Sequence, residues 1–142
     1  MKDFLTFRNR QLDTLVAILN VPLDGQKSRI RNRFITFIQP RLKEVEEERL
    51  KMAKELADKD EKGEPIMENS NFKLSKDNLE KFQKEYTDLL DEEYIIDILE
   101  SNKKDIDTIK DLILNTKKEF DIQGGYAYEE LCKCFEAEEI KK

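Results

Sequence analysis

The stretch SRIRNRFITFIQPRLKEVEEERLK, residues 28–51, sets Arg29, Arg31, Arg33 and Arg41 among Ile30, Phe34, Phe37 and Ile38. On a helix each residue turns by about 100°, so with Ile30 at zero the apolar stripe covers roughly −20° to roughly 120°. On that pitch Arg29 falls at about 260°, Arg33 at about 300° and Arg31 at about 100°. The cations therefore straddle an apolar face. A nucleic-acid helix gathers its cations on one exposed face instead. The spacing favours a core helix whose arginine stems cover the core edges while the guanidinium groups stay wet or pair with carboxylates. A docking surface for an acidic protein comes second, and DNA or RNA binding is disfavoured. Arg41 falls at about 20° and Glu48 at about 0°, both inside the stripe. A charge there must find a partner or leave the interface. The helix either changes face after Pro40 or presents a seam to another chain. Arg29, Arg31, Arg33, Arg41 and Glu48 are the candidate protein-contact residues.

Working outward, the apolar stripe continues through Leu42, Val45, Met52 and Leu56, which predicts one long helix over about 27–59 with Ser28 as its cap. Pro40 removes a hydrogen bond within it and should kink or split it. Upstream, Leu5 and Phe7 alternate with Thr6 and Arg8 as in a half-buried strand. Asn9 is placed to cap a helix carrying Leu12, Leu15, Val16 and Leu19, which VPLDG ends. Downstream, Gly63 and Pro65 break the long helix, and the turn-prone ENSN predicts a short hairpin with strands at 65–67 and 71–74. Ser75 caps a helix bearing Leu79, Phe82, Tyr86, Leu89 and Leu90. The β-branched cluster in EYIIDIL favours a strand at 93–98 over a helix end. Asn102 caps a helix with Ile106, Ile109, Leu112 and Ile113, to which Phe120 is the furthest candidate. Gly124-Gly125 breaks the chain before a last helix with Tyr128, Leu131, Cys132 and Phe135, and residues 136–142 are expected to fray.

This order predicts a single domain over 1–142 of the mostly α, α+β class, with helices packed around the long one and a small antiparallel sheet. The expected core includes Leu12, Leu15, Leu19, Phe34, Phe37, Leu79, Phe82, Ile109 and Leu131.

Composition narrows the chemistry. Charged residues make up 41% of the chain against 38% hydrophobic, which fits helices with solvated faces. The net charge of −6 is uneven: residues 1–42 carry +5 and the rest −11. An acidic body disfavours non-specific binding to DNA or anionic membranes, while the basic end can still dock an acidic partner. No apolar run reaches the roughly 18 residues of a membrane span, and MKDFLTFRNR lacks a signal-peptide core. The expected location is inside a cell, with both cysteines reduced.

The chain has no histidine, which removes Ser-His and Cys-His nucleophile activation. A carboxylate pair has no specificity among 32 Asp and Glu. Cys132 and Cys134 sit i, i+2 on a helix, about 200° apart, and cannot share one ion. The four glycines lie in scattered turns and form no phosphate loop, and DEEYIID has no calcium-loop pattern. No catalytic residue, cofactor or metal is expected, and the chain reads as a non-enzyme.

FRNRQL, GQKSRIRNRFI, EVEEERLKMAKELADKDEKGEPI, FQKEYTDLLDEEYII and AYEELCKCFE together span nearly the whole chain. In this order they resemble a family of small proteins of unknown function encoded by phages and prophages of Gram-positive bacteria. Pro40 departs from it, standing where that family would place an ordinary helix former. The resemblance carries no catalytic residues. It implies a phage accessory protein that works by protein–protein contact, first in virion or tail assembly. The alternative is an intracellular inhibitor or regulator in counter-defence, which binds a basic host protein through its acidic surface. The partner is a phage structural or host protein, and self-association is compatible with both readings.

Overall fold

Alternation of Leu5 and Phe7 with Phe4, Thr6 and Arg8 produces the first strand, β1 (Phe4–Arg8), with Leu5 and Phe7 buried. The computed structural model describes residues 4–140, with side chains described through Glu136. The remaining elements are α1 (Asn9–Leu19), α2 (Gly25–Leu56), β2 (Met67–Glu68), β3 (Asn71–Phe72), α3 (Lys76–Leu90), β4 (Glu93–Asp97), α4 (Lys103–Leu114) and α5 (Ile122–Ile140). The chain is mostly α, of the α+β class, and α2 is its long helix. Among the described residues no helix is long and apolar enough to cross a membrane.

Contacts divide the chain into two compact units. One comprises residues to Leu42 together with those from Glu93 onward, and the other is Lys43–Glu92.

In the first unit β1 pairs antiparallel with β4, with Phe4 opposite Asp97, Thr6 opposite Ile95 and Arg8 opposite Glu93. Leu5 and Ile96 meet across the ladder on the buried side. Beneath them lie Leu12, Leu15, Ile18 and Leu19 of α1, Phe34 and Ile38 of α2, Ile106, Ile109 and Ile113 of α4, and Leu131 and Phe135 of α5. Phe7 and Phe135 meet edge to face, with ring centres 5.6 Å apart. Burying each such side chain contributes about 1.5–3 kcal/mol.

The second unit has a small core. Ala53, Ala57 and Leu89 are buried, and Phe82 stacks on Tyr86 at 5.7 Å. Hydrogen bonds at the end of α2 hold it together. Lys59 Nζ donates to the Lys54 and Ala57 carbonyls, the position at a helix C-terminus where a cation is favoured. Asn78 Nδ2 donates to the Leu56 carbonyl, and the Asp58 N–H to the Lys73 carbonyl. The β2–β3 turn places Asn69 and Ser70 at φ 52° and 68°, the left-handed pair of a tight hairpin. This unit carries ten Lys and Arg against sixteen Asp and Glu, so the whole net charge of −6 resides in it.

Several local expectations are corrected. The strands form two separate two-stranded ladders, β1–β4 and β2–β3, in place of the one sheet expected. Strand propensity marks the segments but not their pairing. Asn9 is the first residue of α1, not its cap; it is buried, and the N–H of Arg8 is taken by Gln11 Oε1 at 2.7 Å. Asp24, not Ser28, caps α2: its carboxylate accepts the Lys27 N–H at 2.9 Å, so the helix starts at Gly25. The helix continues through Pro40 to Leu56. Pro40 is exposed and Thr36 lies at the surface beside it, so water can take up the Thr36 carbonyl that Pro40 leaves without a donor. Ser75 does cap α3 by accepting the Asn78 N–H. The Asn102 side chain turns backward, accepting the Leu99 N–H at 2.7 Å and donating to the Asp97 carbonyl at 2.9 Å. It fastens the β4–α4 turn instead of capping α4.

Phe120 lies beyond α4 and stacks on Tyr128 at 4.9 Å. Gly124 and Gly125 do not break the chain. Asp121 Oδ1 accepts the Gly124 N–H at 2.7 Å, and both glycines lie in the first turns of α5. At Gly124 a Cβ would stand 2.9 Å from that same oxygen, so a side chain there would require the capping carboxylate to shift. The fraying expected over 136–142 falls mostly outside the described side chains, and α5 is helical through Ile140.

Two of the expected core residues are exposed, Phe37 by 53% and Leu79 by 42%, and Phe82 is half-buried. Phe37 lies at the edge of its stripe, at about −20°, where a helix turns from core to solvent.

Candidate protein-contact surface

The arginines of α2 are largely engaged within the first unit. Arg31 reaches back to the end of α1, where its Nη1 donates to the Leu19 carbonyl at 3.1 Å and to the Val21 carbonyl. Its Nη2 bonds Ser28 Oγ at 3.2 Å and its Nε bonds Asn32 Oδ1 at 3.1 Å. The last carbonyls of a helix carry partial negative charge and lack intrahelical donors, so a guanidinium there acts as a C-terminal cap. Arg33 forms a two-pronged pair with Asp105 of α4, both bonds at 3.0 Å. That carboxylate raises the Arg33 pKa further above its ordinary value, first by hydrogen bonding and then by charge.

Arg41 donates from Nε to the buried Asn9 Oδ1 at 2.9 Å, and its guanidinium lies over the Tyr94 ring at 5.6 Å. A buried amide oxygen needs such a donor. This contact accounts for a charge inside the apolar stripe. Arg29 is exposed, with no hydrogen bond or ion pair among the described residues. Glu48 is exposed on the part of α2 that belongs to the second unit. The structure thus joins Arg31, Arg33 and Arg41 to the first unit's own framework and does not gather the five candidates into one site.

What the sequence reading missed is a groove beside Arg33. Arg33 and Phe37 of α2, Ile96 of β4, Leu99, Asn102 and Asp105 surround a hollow of about 460 Å³. Phe37 and Leu99 are more than half exposed there, an open apolar rim next to an ion pair. The available signal was the i, i+4 spacing of Arg33 and Phe37, which sets Phe37 on the arginine flank of the stripe. A second hollow, of about 580 Å³, lies between Val21, Pro22 and Leu23 after α1 and Leu112, Lys117 and Lys118 at the end of α4.

Neither cysteine is poised as a nucleophile. Burial pushes the Cys134 thiol up to about 11 and raises that of Cys132. Cys134 Sγ contacts Gln11 Oε1 at 3.3 Å and the Glu130 carbonyl at 3.5 Å, and Cys132 is buried. Burial likewise pushes Tyr128 up to about 12, and its hydroxyl donates to the Ile113 carbonyl at 2.8 Å. Among the described residues no group of three His, Cys, Asp or Glu is placed to hold a metal ion.

No protein-family model matches the chain, and no curated protein or solved structure matches it either.

Proposed function

We propose that this chain is a non-enzymatic phage accessory protein that acts by protein–protein contact, with virion or tail assembly as its process. The phage context rests on the sequence resemblance. The contact reading rests on the groove, where two large apolar side chains, Phe37 and Leu99, stand more than half exposed and line one hollow together. Exposed apolar side chains lining a hollow beside polar groups are the usual anatomy of an interaction surface. The engagement of Arg31, Arg33 and Arg41 within the fold weighs against a nucleic-acid role, since those donors are not turned to a phosphate backbone.

The test is affinity capture of tagged protein from phage-infected cells with identification of what co-elutes. Phage structural proteins on the wild type, lost from a Phe37→Ser/Leu99→Ser variant that still folds, are the expected result. Absence from every particle and assembly intermediate would overturn the assembly role.

A second reading has its own observation. The whole net charge of −6 lies within Lys43–Glu92, which suits an inhibitor that binds a basic host protein. It predicts capture of a host protein whose affinity drops steeply with salt.

A further inference from the structure

We propose that β4 receives an extended basic segment of a partner protein as an added strand along its unpaired edge. The inference rests on the protein-contact reading above and names the partner's chemistry.

A two-stranded ladder leaves one edge of each strand unpaired, and alternate residues turn their N–H and C=O groups away from the partner strand. Among the described residues, the backbone of Glu93–Asp97 bonds only to β1 and, at Asp97, to the Asn102 amide. The two edges differ. Thr6, Phe7 and Arg8 of β1, together with Glu93 at the start of β4, share a hollow with Glu130, Lys133 and Cys134 of α5, so that helix lies against β1 and reaches only the first residue of β4. On β4, Ile96 and the following Leu99 border the open groove whose other wall carries Phe37. An added strand there would lay its inward side chains against Ile96, Phe37 and Leu99.

Charge selects the occupant. The outward side chains of β4 are Glu93, Ile95 and Asp97, all exposed, with Ile95 at 56%. A second copy pairing antiparallel about Ile95 would set Glu93 of one copy opposite Asp97 of the other, twice, and like charges directly opposite are destabilising. The same two carboxylates, Asp97 more than Glu93 because Glu93 already faces Arg8 across the ladder, favour a strand with Lys or Arg at those positions and an apolar residue between. The edge thus disfavours its own copy in that register and favours a basic–apolar–basic alternation with apolar residues on the inward side.

The experiment uses the full chain and two labelled peptides, Gly-Ser-Lys-Leu-Ile-Leu-Lys-Ser-Gly and its counterpart with Glu for both Lys. Binding is read by fluorescence anisotropy at two salt concentrations. Exchanging two facing pairs from unlike to like charge predicts a preference of about tenfold for the lysine peptide, weakening with salt. A Glu93→Lys/Asp97→Lys variant, folded by circular dichroism, should reverse the preference. Hydrogen exchange should slow at Glu93–Asp97 when the lysine peptide binds. Equal affinity for both peptides, an unchanged preference in the double variant, or protection elsewhere would overturn the proposal, as would a wild-type dimer dissociated by that variant. In the capture experiment, partners retained by the double variant overturn the edge alone and leave the contact reading standing. Partners lost from it alone support both.

Discussion

The two units solve the same problem with different means. The first buries aromatic and aliphatic side chains from two strands and four helices, carries no net charge, and ties three arginines of α2 into its framework. The second buries Ala53, Ala57 and Leu89, leaves Leu50, Met67 and Leu79 exposed, and holds all of the chain's net charge. A segment of fifty residues with so small a core is marginal on its own, and self-repulsion of its excess negative charge weakens it further. The comparison separates a platform, on which a contact surface can be held in place, from a soft and acidic segment whose order depends on local hydrogen bonds such as those of Lys59, Asp58 and Asn78.

The largest expected effect falls on the platform. Phe135→Ala removes the partner of Phe7 at a fully buried site, and should cost about 3–5 kcal/mol in urea unfolding. A loss under about 1 kcal/mol would show that the edge-to-face contact is not central to the core. In the second unit Leu89→Ala should cost about 2–3 kcal/mol, at the low end for its type, because neighbours there are already half-exposed and can close in. Its hydrogen exchange should speed up in α3 while that of α1 and α4 stays unchanged. If both sets speed up together, the two units are not distinct in stability.

Arg31→Ala tests the arginine's part in the platform. It removes the cap on the end of α1 and should cost about 1–2 kcal/mol, whereas the exposed Arg29→Ala should lie within about 0.5 kcal/mol of wild type. Equal effects would return the arginines to a common, external role.

The effect that vanishes at neutral pH is the alkaline response of Cys134. Its folded pKa of about 11 lies above the ordinary 9.0, so the folded state holds the proton more tightly. The contribution to stability is complete below about pH 9 and is lost as the pH rises through 11. Alkylation by iodoacetamide at mildly alkaline pH should correspondingly be slow in the folded protein and fast in urea. Equal rates would mean that the thiol is not shielded.

Much of this was legible in the sequence. The i, i+3, i+4 spacing of Leu12, Leu15 and Leu19 located α1, the alternation around Leu5 and Phe7 located β1, and Ser75 marked the start of α3. These are local signals, set by the period of the backbone. What escaped depends on contacts distant in sequence. That β1 pairs with β4 across more than eighty residues, and that Arg41 turns inward because Asn9 is buried, has no local trace. Gly124-Gly125 misled because a glycine pair in the first turns of a helix reads like a loop when the Asp121 cap is not weighed. Phe37 misled because hydropathy places a phenylalanine inside, and only its position at the stripe's edge argues otherwise. The groove went unseen for the same reason: one wall comes from α2 and the other from the β4–α4 turn.

The claim beneath both the fold and the proposed contact is that the first unit is a rigid platform and Lys43–Glu92 is a softer one. Native-state hydrogen exchange, read residue by residue without any partner, tests it most directly. The account predicts the slowest exchange at Leu12–Leu19, Ile106–Ile113 and Leu131–Phe135, with α3 exchanging at least about tenfold faster, as expected where local opening costs less. Protection in α3 equal to or greater than that in α1 and α4 would contradict it.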